Sequence, residues 1–287
     1  MGLLYQEEGK NKMSKVLLKI NDEKELTYPA DGYILGMDIF SYLFEITFSV
    51  ETIKKIKEEN KEKEIYVSVN RMIFNDELDN YKKILHELDD LGLNGIIIGD
   101  IAALTYNLKT NIILDQMHLN NSYYTINHYK DNGVSGVVLT NDITLDDINI
   151  IHDNTNALLF KQVFGYPHLS TSNRRLVTNY LTHFNLENES KSYEINERNS
   201  DSYYKVIEDD FGTHILGDKP LSLLGVYDKL NVDYAIIDGY LLGNIKMVLD
   251  SFLNEDLTKV SEIEGLYNTN DGFINKETIY KVKNDER

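Results

Sequence analysis

Cysteine is absent from all 287 residues. That excludes disulfides, thiolate nucleophiles, thiolate-bound zinc and any cysteine-ligated iron–sulfur cluster carried by this chain. Positive charge is scarce: 29 Lys and Arg stand against 47 Asp and Glu, a formal net charge of −18. So acidic a chain repels polyanions at long range, which argues against a free-standing nucleic-acid binder. No apolar run approaches the roughly 18 residues of a membrane span, and the opening MGLLYQEEGKNKMSK lacks a signal-peptide core. These absences point to a cytoplasmic protein without a membrane partner. Tryptophan is missing too, while 20 tyrosines are spread along the chain and read as packing.

What is present is ordinary globular composition, 42% hydrophobic and 26% charged, with enough chain for a sizeable core. Eight short apolar, β-branched runs recur along it: 16–20, 33–36, 65–69, 95–98, 112–114, 136–139, 158–164 and 234–237. Between them the spacing predicts helices, among them one capped by Ser49, one carrying Leu78, Tyr81, Leu85 and Leu88, and one capped by Thr144. Further helices are expected over 101–107, 122–130, 221–230 and 245–252. Alternating strand and helix implies a parallel sheet, and eight such units imply an α/β protein of the closed (β/α)8 barrel type. No G-x-G-x-x-G follows the first strand, which weakens an open dinucleotide-binding sheet. Residues 1–12 read as a flexible lead-in, 13–253 as the barrel, 184–210 as an acidic, weakly periodic excursion on its rim, and 254–287 as a polar extension.

Barrel chemistry sits at the C-terminal ends of the strands. That rule selects Asp38, Asn70, Arg71, Asp100, Gln116, His118, Asn141, His168 and Asp238. The densest polar stretch follows the seventh strand: His168, Ser170, Ser172, Arg174 and Arg175, read as a loop. Ser170 or Ser172 beside His168 would suit a nucleophile and base, but there is no G-x-S-x-G elbow. His168 with His118 and a carboxylate would suit a metal, but no H-E-x-x-H spacing supports one, and no metal site is assigned. Arg174 and Arg175 suit an anion, with a salt bridge to the acidic segment after them as the plainer reading. The pairs Asp89-Asp90, Asp146-Asp147 and Asp209-Asp210 read as solvated surface.

The order of the segments resembles the peptidase U32 family, the collagenase-like proteases. Ala30–Gly36 (ADGYILG) resembles the family's early "GADAVYLG", and Val69-Asn70, Asn75–Leu78, Leu91-Gly92 and Gly99-Asp100 resemble its "VN…ND.L…L…G…GD" block. Val163–Gly165 through Asn179-Tyr180 resembles a strand end leading to "S-x-R-x-L-x-x-N-Y". Asp210–Ile215 (DFGTHI) resembles "ENGTHI", and Val232–Gly239 the closing "GIDSFKIDG". The resemblance implies a TIM barrel whose better-understood members are oxygen-insertion subunits for tRNA wobble uridine, ribosomal RNA or the ubiquinone ring. Many carry an iron–sulfur cluster on four cysteines, and some work as paralogous pairs. This chain is most similar to the small cysteine-free branch of the tRNA uridine hydroxylation proteins.

Departures from the pattern shape the expectation. His168 and Arg175 stand where cluster-bearing relatives place cysteines, Ile236 occupies the lysine of "KIDG", and Gln116 replaces an acidic residue after strand five. The resemblance therefore implies no cofactor in this chain and a cluster on a paralogous partner. In that reading the pair hydroxylates tRNA wobble uridine, with tRNA reached through the heteromer. The alternatives are a peptidase acting alone through His168, Ser170 or Ser172, and a non-catalytic binding barrel. For a ligand the expected contacts are Asn70, Arg71, Asp100, Gln116, His118, Arg174, Arg175, Asn179 and Asp238.

Overall fold

The computed structural model describes residues 14–117, 119–187, 192–196, 198 and 201–276. The predicted lead-in, the end of the extension after 276 and His118 lie outside them. The eight apolar runs are strands: β1 (Lys15–Lys19), β2 (Gly32–Gly36), β3 (Glu64–Val69), β4 (Gly95–Ile98), β5 (Ile112–Leu114), β6 (Gly136–Leu139) and β7 (Leu158–Gly165), with the eighth, β13 (Tyr234–Asp238), far downstream. Each pairs in parallel with the next, β7 also pairs with β13, and β13 with β1, so the ring closes. A closed barrel leaves no free sheet edge.

The bore is filled by every second residue, as the strand period requires. Leu17, Ile34, Tyr66, Ile97, Ile113, Phe160 and Ile236 form one cluster inside it. Alternate strands give up their side chains to make room. A Cβ on Gly95 would lie 2.8 Å from the Tyr66 ring, and one on Gly136 2.8 Å from Leu158 and 3.1 Å from Phe160. The opposite strand faces build a larger core against the helices α1 (Val50–Glu59), α2 (Leu78–Asp89), α3 (Tyr123–Asp131), α4 (Leu145–Asp153) and α6 (Lys246–Leu253). Ser49 caps α1 by accepting from Thr52 N–H, and Thr144 forms a capping box with Asp147.

Four expectations change. Residues 168–172 are not a loop but a strand, β8 (His168–Ser172), and it opens a second, antiparallel sheet with β9 (Ser192–Asn196), β10 (Tyr203–Asp209) and β11 (Gly212–Leu216), in the order β8-β11-β10-β9. The rim excursion is therefore ordered sheet over its described part, with α5 (Leu176–Phe184) leading into it. Residues 221–230 form a two-residue strand, β12 (Leu221–Ser222), and a 3-10 turn over Leu224–Lys229 in place of a helix. The stretch expected as a helix over 101–107 is 3-10 as well, over Ile101–Tyr106. Finally, the polar extension holds α7 (Val260–Tyr267), whose Ile263 is fully buried, and Ile274 joins the main core.

Candidate functional site

Two residues beyond Leu17, Ile113, Phe160 and Ile236 stand Lys19, Asp115, Gln162 and Asp238, facing the same bore one layer higher. They line a cavity of about 120 Å³ at the C-terminal mouth, with Asn70, Thr140 and Asn141. Lys19 Nζ donates to Asp238 Oδ2 at 2.7 Å and to the Leu43 carbonyl at 2.6 Å, and lies 4.3 Å above the Phe44 ring. Asn21 Nδ2 donates to the other Asp238 oxygen at 3.2 Å. Asp238 is thus held on both oxygens. Burial pushes the Asp115 carboxyl up, and Lys19 and the Met117 N–H offset this only in part.

Across the mouth, Gln162 accepts from Asn141 Nδ2 at 2.8 Å and donates to the Tyr166 carbonyl at 3.2 Å. Lys161, on the outer face of β7, is 1% exposed; its ammonium donates to the Thr140 carbonyl at 2.9 Å and to Asn141 Oδ1. Burial lowers it to about 7, against the pull of Asp142. It fastens the loop after β6 from behind.

The added sheet roofs the cavity with His168 and Leu216, the link between β7 and β8 adds Tyr166, and Tyr42 and Tyr240 come from barrel loops. His168 Nε2 lies 2.7 Å from Thr171 Oγ1, which lies 2.9 Å from His214 Nδ1, whose Nε2 lies 3.3 Å from Asp209 Oδ1. Tyr42 packs on both rings, 4.8 Å from His214 and 5.4 Å from His168.

Of the residues expected from sequence, Asn70, His168 and Asp238 meet at this cavity, as does Asn141. The others, among the described residues, do not line it. Arg71 is buried, paired with Glu77 and stacked 4.5 Å over Phe211, which ties the β3 loop to the β10–β11 turn. Asp100 caps the 3-10 turn through Ala102 N–H at 2.8 Å, and Gln116 accepts from the Tyr129 hydroxyl at 3.1 Å. Ser170 is exposed and Ser172 accepts from Arg174 N–H at 3.3 Å; the hydroxyl beside His168 is Thr171. Arg174 and Asn179 are exposed, and Arg175 pairs with Asp210 at 2.6 Å, the plainer of its two readings. Asp89 accepts from Thr110 N–H and Asp147 from Thr144 N–H, while Asp209 is no solvated surface group but the partner of His214.

Near two departures from the family pattern stand side chains of the missing kind. Beside Ile236, on the neighbouring strand, stands the cation Lys19, paired in register with Asp238. The acid missing at Gln116 stands one residue earlier, as Asp115. The residues overlooked in sequence are Lys19, Asp115, Gln162, Thr171 and His214. The first three were legible as the second residue after a bore-facing apolar one. At the two cysteine positions the side chains are an imidazole bonded to Thr171 and a guanidinium bonded to Asp210, a donor set that does not fit an iron–sulfur cluster.

The chain is 26% identical over 288 residues to tRNA hydroxylation protein P2 of Bacillus subtilis (strain 168), covering 88% of this chain and 93% of that one. Its fold is similar to that of the U32 peptidase Mk0906, with a TM-score of 0.50 and 13% identity over 83% of this chain and 96% of the other. A match to peptidase family U32 spans residues 23–244. The chain belongs to peptidase family U32.

Proposed function

We propose that this chain is a non-cluster subunit in tRNA wobble-uridine hydroxylation, working in the cytoplasm beside a paralogous, cysteine-bearing partner. The observation that carries the reading is the similarity, along 88% of the chain, to a protein named for tRNA hydroxylation. The lack of cysteine and the net charge of −18 support it, because the redox centre and the basic surface for tRNA then belong to the partner. In this reading the cavity takes a small polar ligand. Lys19 and Asp238 orient it, Asn70 and Gln162 donate or accept at its edges, and His168 accepts a proton. In this reading Arg71, Asp100, Gln116 and Arg175 hold the frame, and Arg174 and Asn179, exposed and away from the cavity, do not touch the ligand.

Deleting the gene in its host and measuring hydroxylated wobble uridine by mass spectrometry of digested tRNA tests the activity. Loss of the modified base, restored by the wild-type chain and not by His168→Gln, is expected. Unchanged modification on deletion would sink the reading. A tagged pull-down is expected to return a cysteine-bearing paralogue near one-to-one; recovery of the chain alone removes the partner.

One observation favours a second reading, hydrolysis by the isolated chain: Thr171, His214 and Asp209 follow one another as nucleophile, base and orienter do. It predicts peptide turnover lost in Thr171→Val and kept in Ser170→Ala and Ser172→Ala.

A further inference from the structure

Helix α5 breaks a rule that other surface helices keep. Helix α1 buries Ile53 and Ile56 and α2 buries Tyr81, Leu85 and Leu88, while their outer faces carry the ion pairs Lys55–Glu59 and Lys83–Glu87. The nine residues of α5, LVTNYLTHF, bury only Leu181 fully. Its outer face carries Leu176, Tyr180 and Phe184, four residues apart, and Leu186 stands just past its end, all of them exposed. Tyr180 is 58% exposed and Phe184 55%, with their ring centroids 4.8 Å apart. A helix so short is marginal in water without an apolar face to bury, and here three large apolar side chains point outward.

The stripe does not stop at the helix. Asn173 Nδ2 donates to Met72 Sδ at 3.4 Å, which brings the β3 loop alongside, and Met72 and Phe74 of that loop are more than half exposed. A continuous apolar surface with aromatic rings, a methionine and arginines at its edge has the composition of a protein interface. It also adjoins the site: Leu176 N–H donates to Thr213 Oγ1 at 2.9 Å, and Thr213 precedes His214 in β11.

Charge decides what covers it. Of the 287 residues 47 are acidic, yet none from 154 to 186 is. Arg174 and Arg175 stand exposed at the start of α5, with Asp210 on Arg175. A second copy presenting the same stripe brings no carboxylate of its own 154–186 to these arginines, and it joins two chains of −18 each. RNA meets the same −18, and meets aliphatic Leu176 and Leu186 where bases would stack on rings. An apolar protein face rimmed by carboxylates satisfies both the stripe and the arginines.

We propose that the stripe running from Phe74 and Met72 to Leu176, Tyr180 and Phe184 is the docking face for a protein partner with such a surface, the cysteine-bearing paralogue. The identity of the partner rests on the function proposed above; the exposed stripe does not. Docked there, the partner lies next to the roof of the cavity.

Photocrosslinking in the native host tests this, with p-benzoylphenylalanine replacing Tyr180 in the tagged full-length chain and, as a control, Tyr124 of α3, which is 74% exposed. An adduct with the cysteine-bearing U32 paralogue is expected from position 180 and not from 124. An adduct with a second copy, with RNA or with any other protein overturns the proposal, and so does the lack of one. Tyr180→Ser with Phe184→Ser is expected to lower recovery of the paralogue in the tagged pull-down at least about tenfold, as loss of two anchor rings does. Tyr124→Ser keeps it, and undiminished recovery with the double variant overturns the proposal. If the double variant does not fold, the adduct decides, since it keeps a ring at position 180. Paralogue recovered without an adduct at 180 removes this surface and leaves the partner; no paralogue at all removes both. Unchanged tRNA modification on deletion, with the adduct formed, removes the tRNA reading and leaves the surface.

Discussion

The two mouths of the barrel are built from the same kinds of residue and have opposite characters. At the N-terminal mouth, Lys15 of β1 pairs with Glu64, and the Tyr66 hydroxyl donates to the other Glu64 oxygen at 3.0 Å. Tyr234 stacks on Phe160 at 4.4 Å and meets the Tyr66 edge at 5.6 Å, which fills the bore above them. Burial raises Glu64, but hydrogen bonds from Lys15, Tyr66 and Tyr234 outweigh it and depress the carboxyl. At the C-terminal mouth, Lys19, four residues further along β1, pairs with Asp238, and a second carboxylate, Asp115, is left under-compensated beside open space. Polar residues in a barrel bore become structure when they saturate one another, and become a candidate site when burial at a carboxyl beside open space is offset only in part.

Four experiments break or sharpen that contrast, the largest effect first. Tyr66→Ala empties the packed mouth: Tyr66 is 2% exposed, and removing a buried ring costs about 4 kcal/mol. Urea unfolding measures the loss, and the contrast fails if the variant is near wild type. Next, Asp238→Ala strands Lys19 and Asn21 and costs about 3 kcal/mol, because both charges of the pair are only 13% exposed. Lys19→Met with Asp238→Leu is expected to regain most of that stability, while the role proposed above predicts that it does not restore hydroxylated wobble uridine in a deletion strain, which separates the site's stability from its use. Lys15→Met, at a lysine 47% exposed, is expected to cost less than about 1 kcal/mol. An equal loss at Lys15 and Asp238 would show that the two ion pairs do not differ.

The smallest effects are in pH dependence, and their signs are opposite. Glu64 is depressed in the fold, so its stabilisation is present above the ordinary glutamate range and is lost as pH falls through its depressed value. Asp115 is raised, so the native state keeps its proton longer than the unfolded chain. Its contribution is present below the ordinary aspartate range and is lost as pH rises through the raised value. Urea midpoints measured against pH should flatten on the acid side in Glu64→Gln. In Asp115→Asn they should rise at neutral pH. Parallel curves for the two variants would remove the electrostatic half of the comparison.

The barrel was legible because its strands are buried on both faces and read as continuous apolar runs; β4, β5 and β6 match their expected limits. The added sheet was not, for a physical reason. HLSTS has neither an apolar run nor an alternation, and SYEIN alternates over only five residues inside an acidic, polar segment; both are at most half-buried, so neither carries the apolar signal of a buried strand. The helix expected at 221–230 failed because LSLLGVYDKL satisfies apolar spacing in a 3-10 turn as well as in an α-helix. At the site, Asn70, His168 and Asp238 were visible because they follow the strands. His214 was hidden in the same polar sheet, and its role rests on contact with Thr171, 43 residues earlier in sequence.

The added sheet also has a telling point of attachment. The chain leaves the barrel at Gly165 and returns at Leu221, and these two residues are partners on one antiparallel rung. Gly165 has no room for a side chain, since a Cβ there would lie 2.4 Å from the Asp238 carbonyl oxygen. Everything from 166 to 220, including the histidine row, is therefore a cassette spliced into one rung of an already closed ring. Barrel closure runs through β7 and β13 without it. The scaffold and the roof are free to diverge at different rates, and a relative can exchange the chemistry over the cavity while keeping the bore that holds it.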